Sequence, residues 1–461
     1  VAISSDGNYG AAAALGDGGG GTNSGTVTMY KRNTATDQWS QLQTENIPSG
    51  AALDDRFGST ISLSSDGQAL TIGCQLADRG GQPGAGMVST WRFNGSTYSY
   101  VGEISNPRGN YSWAEWSSSE TEKGMYMAGN GLNMIVGTKT HNSSRGIVDL
   151  YSRSAITNNW TYYGTISPTI HTHTTLYFGA SVAMSSDGKV VVVGAYLAQN
   201  TVYREGAAYV YEYTGSADGV YSGGSWVHRS TLLSTTPKTS GHFGQRVEIS
   251  GDANYVLIGD SRKDSAIGGG SSVGGAQVYV RSGNAWNFQQ SLVDPDASQS
   301  DQLGQSISIN SDGTHILAGA PYDDGPTGGA VISAAGKVLH FKRTDTTWAY
   351  SATIYAPTPY ANDRFGTDSS TSISGDGTRA LLGREGFDTP YSDNGQLLYY
   401  TFAPETVIDS STQVFTVTGA FFDAQTTIQL QGADNTLYDV TDFVFTNSGS
   451  LGFKMGTLAT G

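Results

Sequence analysis

His171 and His173 stand two residues apart, so on a strand they would share one face and could offer two imidazoles to a metal. They fall in a stretch that reads as loop and bring no third ligand with them, so a solvated or packed pair is the plainer reading. Asp294 and Asp296, with Asp301 nearby, are carboxylates of the kind used in general acid and base work. Such work depends on a carboxylate separation that sequence does not set, and these three read as a solvated loop. Asp323-Asp324-Gly325 lies in a longer loop that could hold a cation weakly. No Gly-x-Ser-x-Gly elbow precedes a helix, and neither His-Glu-x-x-His nor a phosphate-cradling P-loop occurs. Cys74 is the one cysteine, which excludes an intrachain disulfide and a thiolate metal cluster. These residues call for no catalytic group, no metal site and no cofactor.

Aromatic residues point to recognition instead. Trp113, Trp116, Tyr196, Tyr203, Tyr322, Tyr360 and Tyr391 all fall in loops of the repeat described next. Exposed rings there would stack on sugars or pack at a protein interface. The alternative is that they plug a channel mouth or pack their loops locally.

The elements that must position them recur along the chain. A serine-rich turn, usually followed by Asp-Gly, appears at Asp6, Asp66, Asp187, Asp252, Asp312 and Asp376, with a degenerate copy at Asn130-Gly131. The spacings are 60, 64, 57, 65, 60 and 64 residues. Short apolar runs flank each turn, and Asp-Gly between two such runs predicts a hairpin with positive φ at both central residues. A third strand is expected just after a glycine at 25, 86, 146, 206, 275, 336 and 395. A fourth carries an aromatic residue and an aliphatic one six positions on, as in Trp160/Ile166, Trp226/Leu232, Trp286/Leu292 and Trp348/Ile354. Four short antiparallel strands make one propeller blade, and seven copies make a ring. Independent sandwiches of this size would be marginal alone. The fold class is therefore all-β: a seven-bladed β-propeller of four-stranded blades.

Phe57-Gly58, Phe178-Gly179, Phe243-Gly244, Leu303-Gly304 and Phe365-Gly366 precede five of the hairpins, and strands such as Val193-Gly194-Ala195 and Ala318-Gly319-Ala320-Pro321 follow them. This in-phase pattern resembles the FG-GAP repeat of integrin-α-type propellers over about residues 1–404; blade three departs from it, with Thr121-Glu122 at the Phe-Gly position. The resemblance implies an extracellular or surface-displayed propeller that binds partners. It does not carry over that family's calcium sites, because the long Asp-x-Asp-x-Asp-Gly loop is replaced here by a tight Ser-Asp-Gly turn. Residues 405–461 break the period. Short alternating strands at Val414–Thr418, Thr427–Leu430, Phe443–Phe445 and Leu451–Met455 resemble the first part of an immunoglobulin-like β-sandwich module of the TIG type, expected to continue past Gly461 or to be completed by a neighbouring chain.

Glycine is 62 of 461 residues and charged residues are only 14%, with a net charge of −15. That field repels nucleic acid, and no apolar run reaches the ~20 residues of a spanning helix. The loops joining second and third strands differ blade by blade, while the opposite face carries tight turns. Recognition is expected on the loop face. The resulting expectation is a non-enzymatic binding or structural module on an extracellular, cell or virion surface, such as an adhesin, phage fibre or capsid decoration. Its partners would be a protein or carbohydrate ligand and other subunits of a larger assembly. The rival is a polysaccharide-active lyase or glycosidase, for which a deep channel lined by Tyr, His and Arg would speak. Blade seven lacks the aromatic fourth strand, so a segment upstream of Val1 is expected to supply it, the rivals being residues 405–409 or another subunit.

Overall fold

A computed structural model describes residues 1–16, 23–48, 54–78, 84–105, 123–168, 175–217, 219–264, 270–325, 331–385 and 395–402, with five short strands beyond. The chain forms two compact units, Val1–Tyr400 and Thr401–Gly461. The first is a seven-bladed propeller. Its fourth blade is typical: Ser181–Met184, Val190–Ala195, Ala207–Tyr213 and Trp226–Leu232 pair antiparallel in sequence order. Six blades show four strands, and the seventh shows three, Thr371–Ile373, Arg379–Arg384 and Gln396–Thr401. Residues 405–409, the rival occupant of its outer position, lie outside the described residues.

The Phe-Gly pattern has a physical cause. Phe57, Phe178, Phe243, Leu303 and Phe365 are completely buried, the first four in cores that span neighbouring blades. The backbone of each of the last four bridges in parallel to the glycine before the third strand of the preceding blade, as Gly206 does to Phe243. A Cβ on Gly206 would stand 2.0 Å from the Phe243 carbonyl oxygen, so only glycine permits the clasp. In blade five the clasping residue is Gly274 rather than Gly275.

The hairpin turns correct one expectation. Positive φ occurs at Gly7, Gly67, Gly131, Gly188, Gly313 and Gly377, and at Ala253, but at none of the preceding Asp residues. The turn is a four-residue Ser-Ser-Asp-Gly form in which Gly7 N–H donates to the Ser4 carbonyl (2.9 Å). The Asp carboxylate is used locally. Asp187 Oδ1 accepts from Ser185 Oγ (2.6 Å) and Lys189 N–H (2.9 Å), and Asp66 repeats the pair.

Successive turns are tied into a circle. Backbone N–H groups at 6, 65, 130, 186, 252 and 311 donate to carbonyls at 65, 129, 186, 251, 311 and 375, and Gly375 N–H closes the ring on Ser5 (2.7 Å). Blades seven and one are thus joined at their inner strands, where Ile3 N–H also donates to Ser372 Oγ (3.1 Å).

In the second unit, Ser450–Lys454 lies between Val414–Thr418 and Phe443–Asn447 in one antiparallel sheet, and Gln429–Gln431 pairs with Leu437–Asp439.

Candidate functional site: the loop face and channel mouth

Five blades begin on the loop face with a turn that ends in Phe-Gly or Leu-Gly. The residue just before that pair has left-handed φ in five blades: Arg56 (54°), Tyr177 (55°), His242 (60°), Gln302 (55°) and Arg364 (48°). Its carbonyl accepts the N–H three residues on, as from Gln245 to His242 (3.0 Å) and from Thr367 to Arg364 (3.1 Å). A side chain in this conformation costs about 1–2 kcal/mol. None of the five is glycine or asparagine, so these positions carry side chains despite the strain.

The expected aromatic residues gather around them unevenly. Tyr196 is buried. It sits edge-on to Tyr177 at 5.4 Å and tilted to His242 at 5.0 Å, because two of the left-handed residues converge on it. Tyr203 is 51% exposed with the Arg204 guanidinium over its ring, and Tyr360 is 49% exposed with Arg384 over its ring. Tyr322 is half-buried beneath Arg364. Trp113, Trp116 and Tyr391, and also His171 and His173, lie outside the described residues. The loop bearing Tyr196 and Tyr203 is wound around Glu205, which accepts N–H bonds from Asn200, Thr201 and Val202. Burial alone would raise the Glu205 carboxyl; these bonds and the Thr201 hydroxyl outweigh it and hold the group below its usual range. Burial, with Arg262 and Arg204 nearby, lowers His242 to about 4, so its ring is neutral at neutral pH.

Inside this rim opens a central channel of about 1360 Å³. Among the described residues its charged lining is Arg56, Lys123, Arg246, Arg364 and Arg384 against Glu248, Asp368 and Glu385. Lys123 Nζ pairs with Glu248 (2.6 Å) and lies over the Tyr126 ring at 4.5 Å, while Arg246 Nη2 stands 3.7 Å from Asp368. Burial, reinforced by Glu248, pushes the Tyr126 phenol far above its ordinary range. At the turn end the lining shrinks to Ser5, Ser65, Gly129, Ser186, Gly251, Ser311 and Gly375. A Cβ on Gly375 would meet Ser5 Oγ at 1.9 Å and Ser311 Oγ at 2.6 Å, which marks how tightly this collar closes.

The carboxylates at 294 and 301 are not solvated. Asp294, Asp301 and Asp323 are all buried, with ligand atoms within 4.8 Å of one another, and they form the one group among the described residues spaced to hold a cation. The position is served by the chain's own cation: Lys337 Nζ lies 2.7 Å from Asp294 and 2.8 Å from Asp323, and is itself 2% exposed. Burial alone would lower the Lys337 ammonium, but its bonds to the two aspartates outweigh that and raise it. Burial, aided by the Asp323 and Asp294 charges, raises Asp301 to about 6 against the Ser298 N–H bond. Asp296 alone of the sequence-flagged trio is exposed, its N–H donating to Asp294. A second buried pair, Asp363 with Arg384, ties the link into blade seven.

Comparison with known proteins gives the fold and little more. An FG-GAP repeat model matches residues 173–211 and 286–333. No curated protein matches the chain. Among solved structures, the periplasmic gluconolactonase of Pseudomonas aeruginosa superposes with a TM-score of 0.52 at 13% identity, covering 86% of this chain and 92% of its own. A candidate 6-phosphogluconolactonase from Bacteroides uniformis superposes at 0.50 and 10% identity, covering 93% of each chain. At these identities the likeness is one of fold.

Proposed function

We propose that this chain is a non-enzymatic recognition module that uses its loop face to bind a carbohydrate or protein ligand. The observation that carries the reading is the set of strained, side-chain-bearing positions at 56, 177, 242, 302 and 364, ringed by Tyr–Arg pairs at Tyr203, Tyr322 and Tyr360. Left-handed non-glycine residues repeated at one functional rim suit preorganised recognition. Low charge, high glycine content and the repeat favour display outside the cell, on a cell or virion surface, within a larger assembly. The antiparallel strands of the second unit fit the opening part of a TIG-type, Ig-like sandwich.

The second reading is a polysaccharide-active enzyme, favoured by the depth of the channel and its Arg and Tyr lining. The lactonase names of two fold neighbours make a sugar lactone a further substrate to assay. General base work wants a group whose pKa lies near the working pH. Tyr126 is driven the wrong way for that, and His242, at about 4, is a weak base. The test is an array of glycans and surface proteins probed with the full chain and with Tyr203→Ala/Tyr360→Ala. Retained binding in the variant, or turnover of an arrayed sugar by the wild type, would overturn the recognition reading.

A further inference from the structure

We propose that Lys337 and Asp294 condense into an intramolecular amide, a covalent bond between a strand of blade six and the link that enters that blade from blade five.

Placement is the first argument. Asp294 follows the outer strand of blade five, Ala285–Leu292, and precedes the inner strand of blade six, Ser306–Ile309. Lys337 opens the third strand of blade six, Lys337–Thr344. Its Nζ lies 2.7 Å from Asp294 Oδ2, and the two side chains are 2% and 1% exposed. Asp294 is held from its other side as well, Oδ1 accepting the Asp296 N–H at 2.9 Å. An amine and a carboxyl group fixed at contact distance, away from water, react as one molecule rather than two.

Energetics is the second. A buried ion pair carries a desolvation cost that its own attraction offsets only in part. Here three buried carboxylates face one ammonium. An amide removes a cation and an anion together and leaves a neutral group in the core.

Proton traffic is the third. Asp323 Oδ2 stands 2.8 Å from the same nitrogen, and Asp301 completes the group, with ligand atoms within 4.8 Å of one another. The Lys337 ammonium resists losing its proton to water, so the proton passes inside the cluster, to Asp323. The nitrogen lone pair then attacks Asp294 Cγ. A C–N bond forms, one C–O bond breaks, and the oxygen leaves as water. Both hydrogens of that water come from the ammonium, relayed by Asp323 and Asp301, which end as they began. One cation and one anion thus become a neutral amide and water, with no oxidant or reductant. Burial above all holds Asp301 up at about 6, which suits a group that must take and return a proton near neutral pH.

Other ion pairs lack these parts. Asp363–Arg384 is buried as deeply, but a guanidinium stays protonated and is no nucleophile. Lys238–Asp264 is open to solvent, its side chains 31% and 50% exposed. Among the described residues, Lys337 is the lysine that meets two buried carboxylates.

The test is mass spectrometry of the full chain. We expect its mass to fall short of the sequence mass by one water, and Lys337→Arg and Asp294→Ala to restore the full mass. Water loss at an Asp-Gly turn would give the same intact mass, so peptide mapping decides. Chymotrypsin cuts between the two residues, and its digest should contain a branched peptide joining Asp294 to Lys337. Trypsin should fail to cut after Lys337. Asp301→Asn keeps the shape of the side chain without its carboxyl proton, and should lower the crosslinked fraction at least about tenfold. A wild-type chain of full mass, a water loss confined to linear peptides, a branch at Asp323 in place of Asp294, or Asp301→Asn crosslinked as fully as the wild type each overturns the proposal. The wild-type digest carries the test by itself if the variants do not fold.

Discussion

The two faces of the propeller use the same backbone conformation with opposite residue choices. In the hairpin joining the first two strands, on the turn face, left-handed φ falls on glycine in six blades and on Ala253 in the remaining one. Those glycines are hemmed in: a Cβ on Gly67 would lie 2.2 Å from the Tyr9 ring, and one on Gly313 2.3 Å from Tyr255. On the loop face positive φ falls on glycines at the clasps, such as Gly206 and Gly244, but also, just before each Phe-Gly or Leu-Gly, on Arg56, Tyr177, His242, Gln302 and Arg364. Where the bend serves only the architecture, glycine relieves it. Where a side chain must reach a ligand or a neighbouring ring, the chain tolerates the strain. Backbone bonds join neighbouring blades on both faces, as a closed circle on one and as the Phe-Gly clasps on the other, where buried ion pairs specific to single blades are added.

The largest effects should come from features tying the two faces together. Phe243→Ala should lower stability by about 3–5 kcal/mol in urea unfolding, since the ring is fully buried between blades. Lys337→Met should cost about 3–5 kcal/mol, because it leaves three buried carboxylates facing one another. Adding Asp323→Asn should recover part of that loss. By contrast, Asp187→Ala on the turn face should cost about 1 kcal/mol, the worth of its local hydrogen bonds. A Lys337→Met loss no larger than the Asp187→Ala loss would erase the claimed difference between the faces.

Smaller effects appear as opposing pH slopes, both on the loop face. His242 is lowered to about 4 in the fold and titrates near 6.5 when unfolded, so its contribution is full above about 6.5 and falls as pH drops toward 4. Asp301 is raised to about 6, so between about 4 and 6 the fold binds the extra proton, and its contribution falls as pH rises through that window. Each spans about 2–3 kcal/mol. His242→Asn should remove the acid-side loss, and Asp301→Asn the loss on raising pH, in urea titrations at pH 4, 5, 6 and 7. Unchanged slopes in both variants would mean that neither group is desolvated as described.

The repeat was legible because its anchors are local: a serine-rich turn, a glycine before the third strand, an aromatic residue opening the fourth. Each reports a backbone need within a few residues. The candidate site was legible only in part. Sequence left open whether the loop aromatics are exposed or pack locally: Tyr203 and Tyr360 are exposed, while Tyr196 lies between Tyr177 and His242, which come from other turns. Asp294 and Asp301 look solvated along the chain and Asp323 looks like a weak cation loop, because Lys337, which pairs with Asp294 and Asp323, begins a later strand. The left-handed rim was missed altogether, although its signal is present. It is the residue immediately before each Phe-Gly or Leu-Gly, and reading that column across blades yields Arg, Tyr, His, Gln and Arg.

The smallest expected effect probes the comparison most directly, because it concerns a sign. A left-handed L-residue costs about 1–2 kcal/mol, and glycine gives back about 0.5–1 kcal/mol of that in unfolded-chain entropy. Ala253→Gly should therefore stabilise the protein by about 0.5–1 kcal/mol, removing the one exception among the first-hairpin turns. Arg364→Gly should stabilise by a similar amount, since the side chain is exposed and its contact with Tyr322 is a cation–π pair at 5.6 Å. The two variants should part company in ligand binding, where only Arg364→Gly should show a loss. Thermal melts and titrations on the same samples would separate the outcomes. If Arg364→Gly destabilises the fold, the arginine serves packing, and the rim is architecture like the opposite face. If it stabilises the fold and weakens binding, the strain at the rim is retained for recognition, and the two faces differ in purpose as well as in sequence.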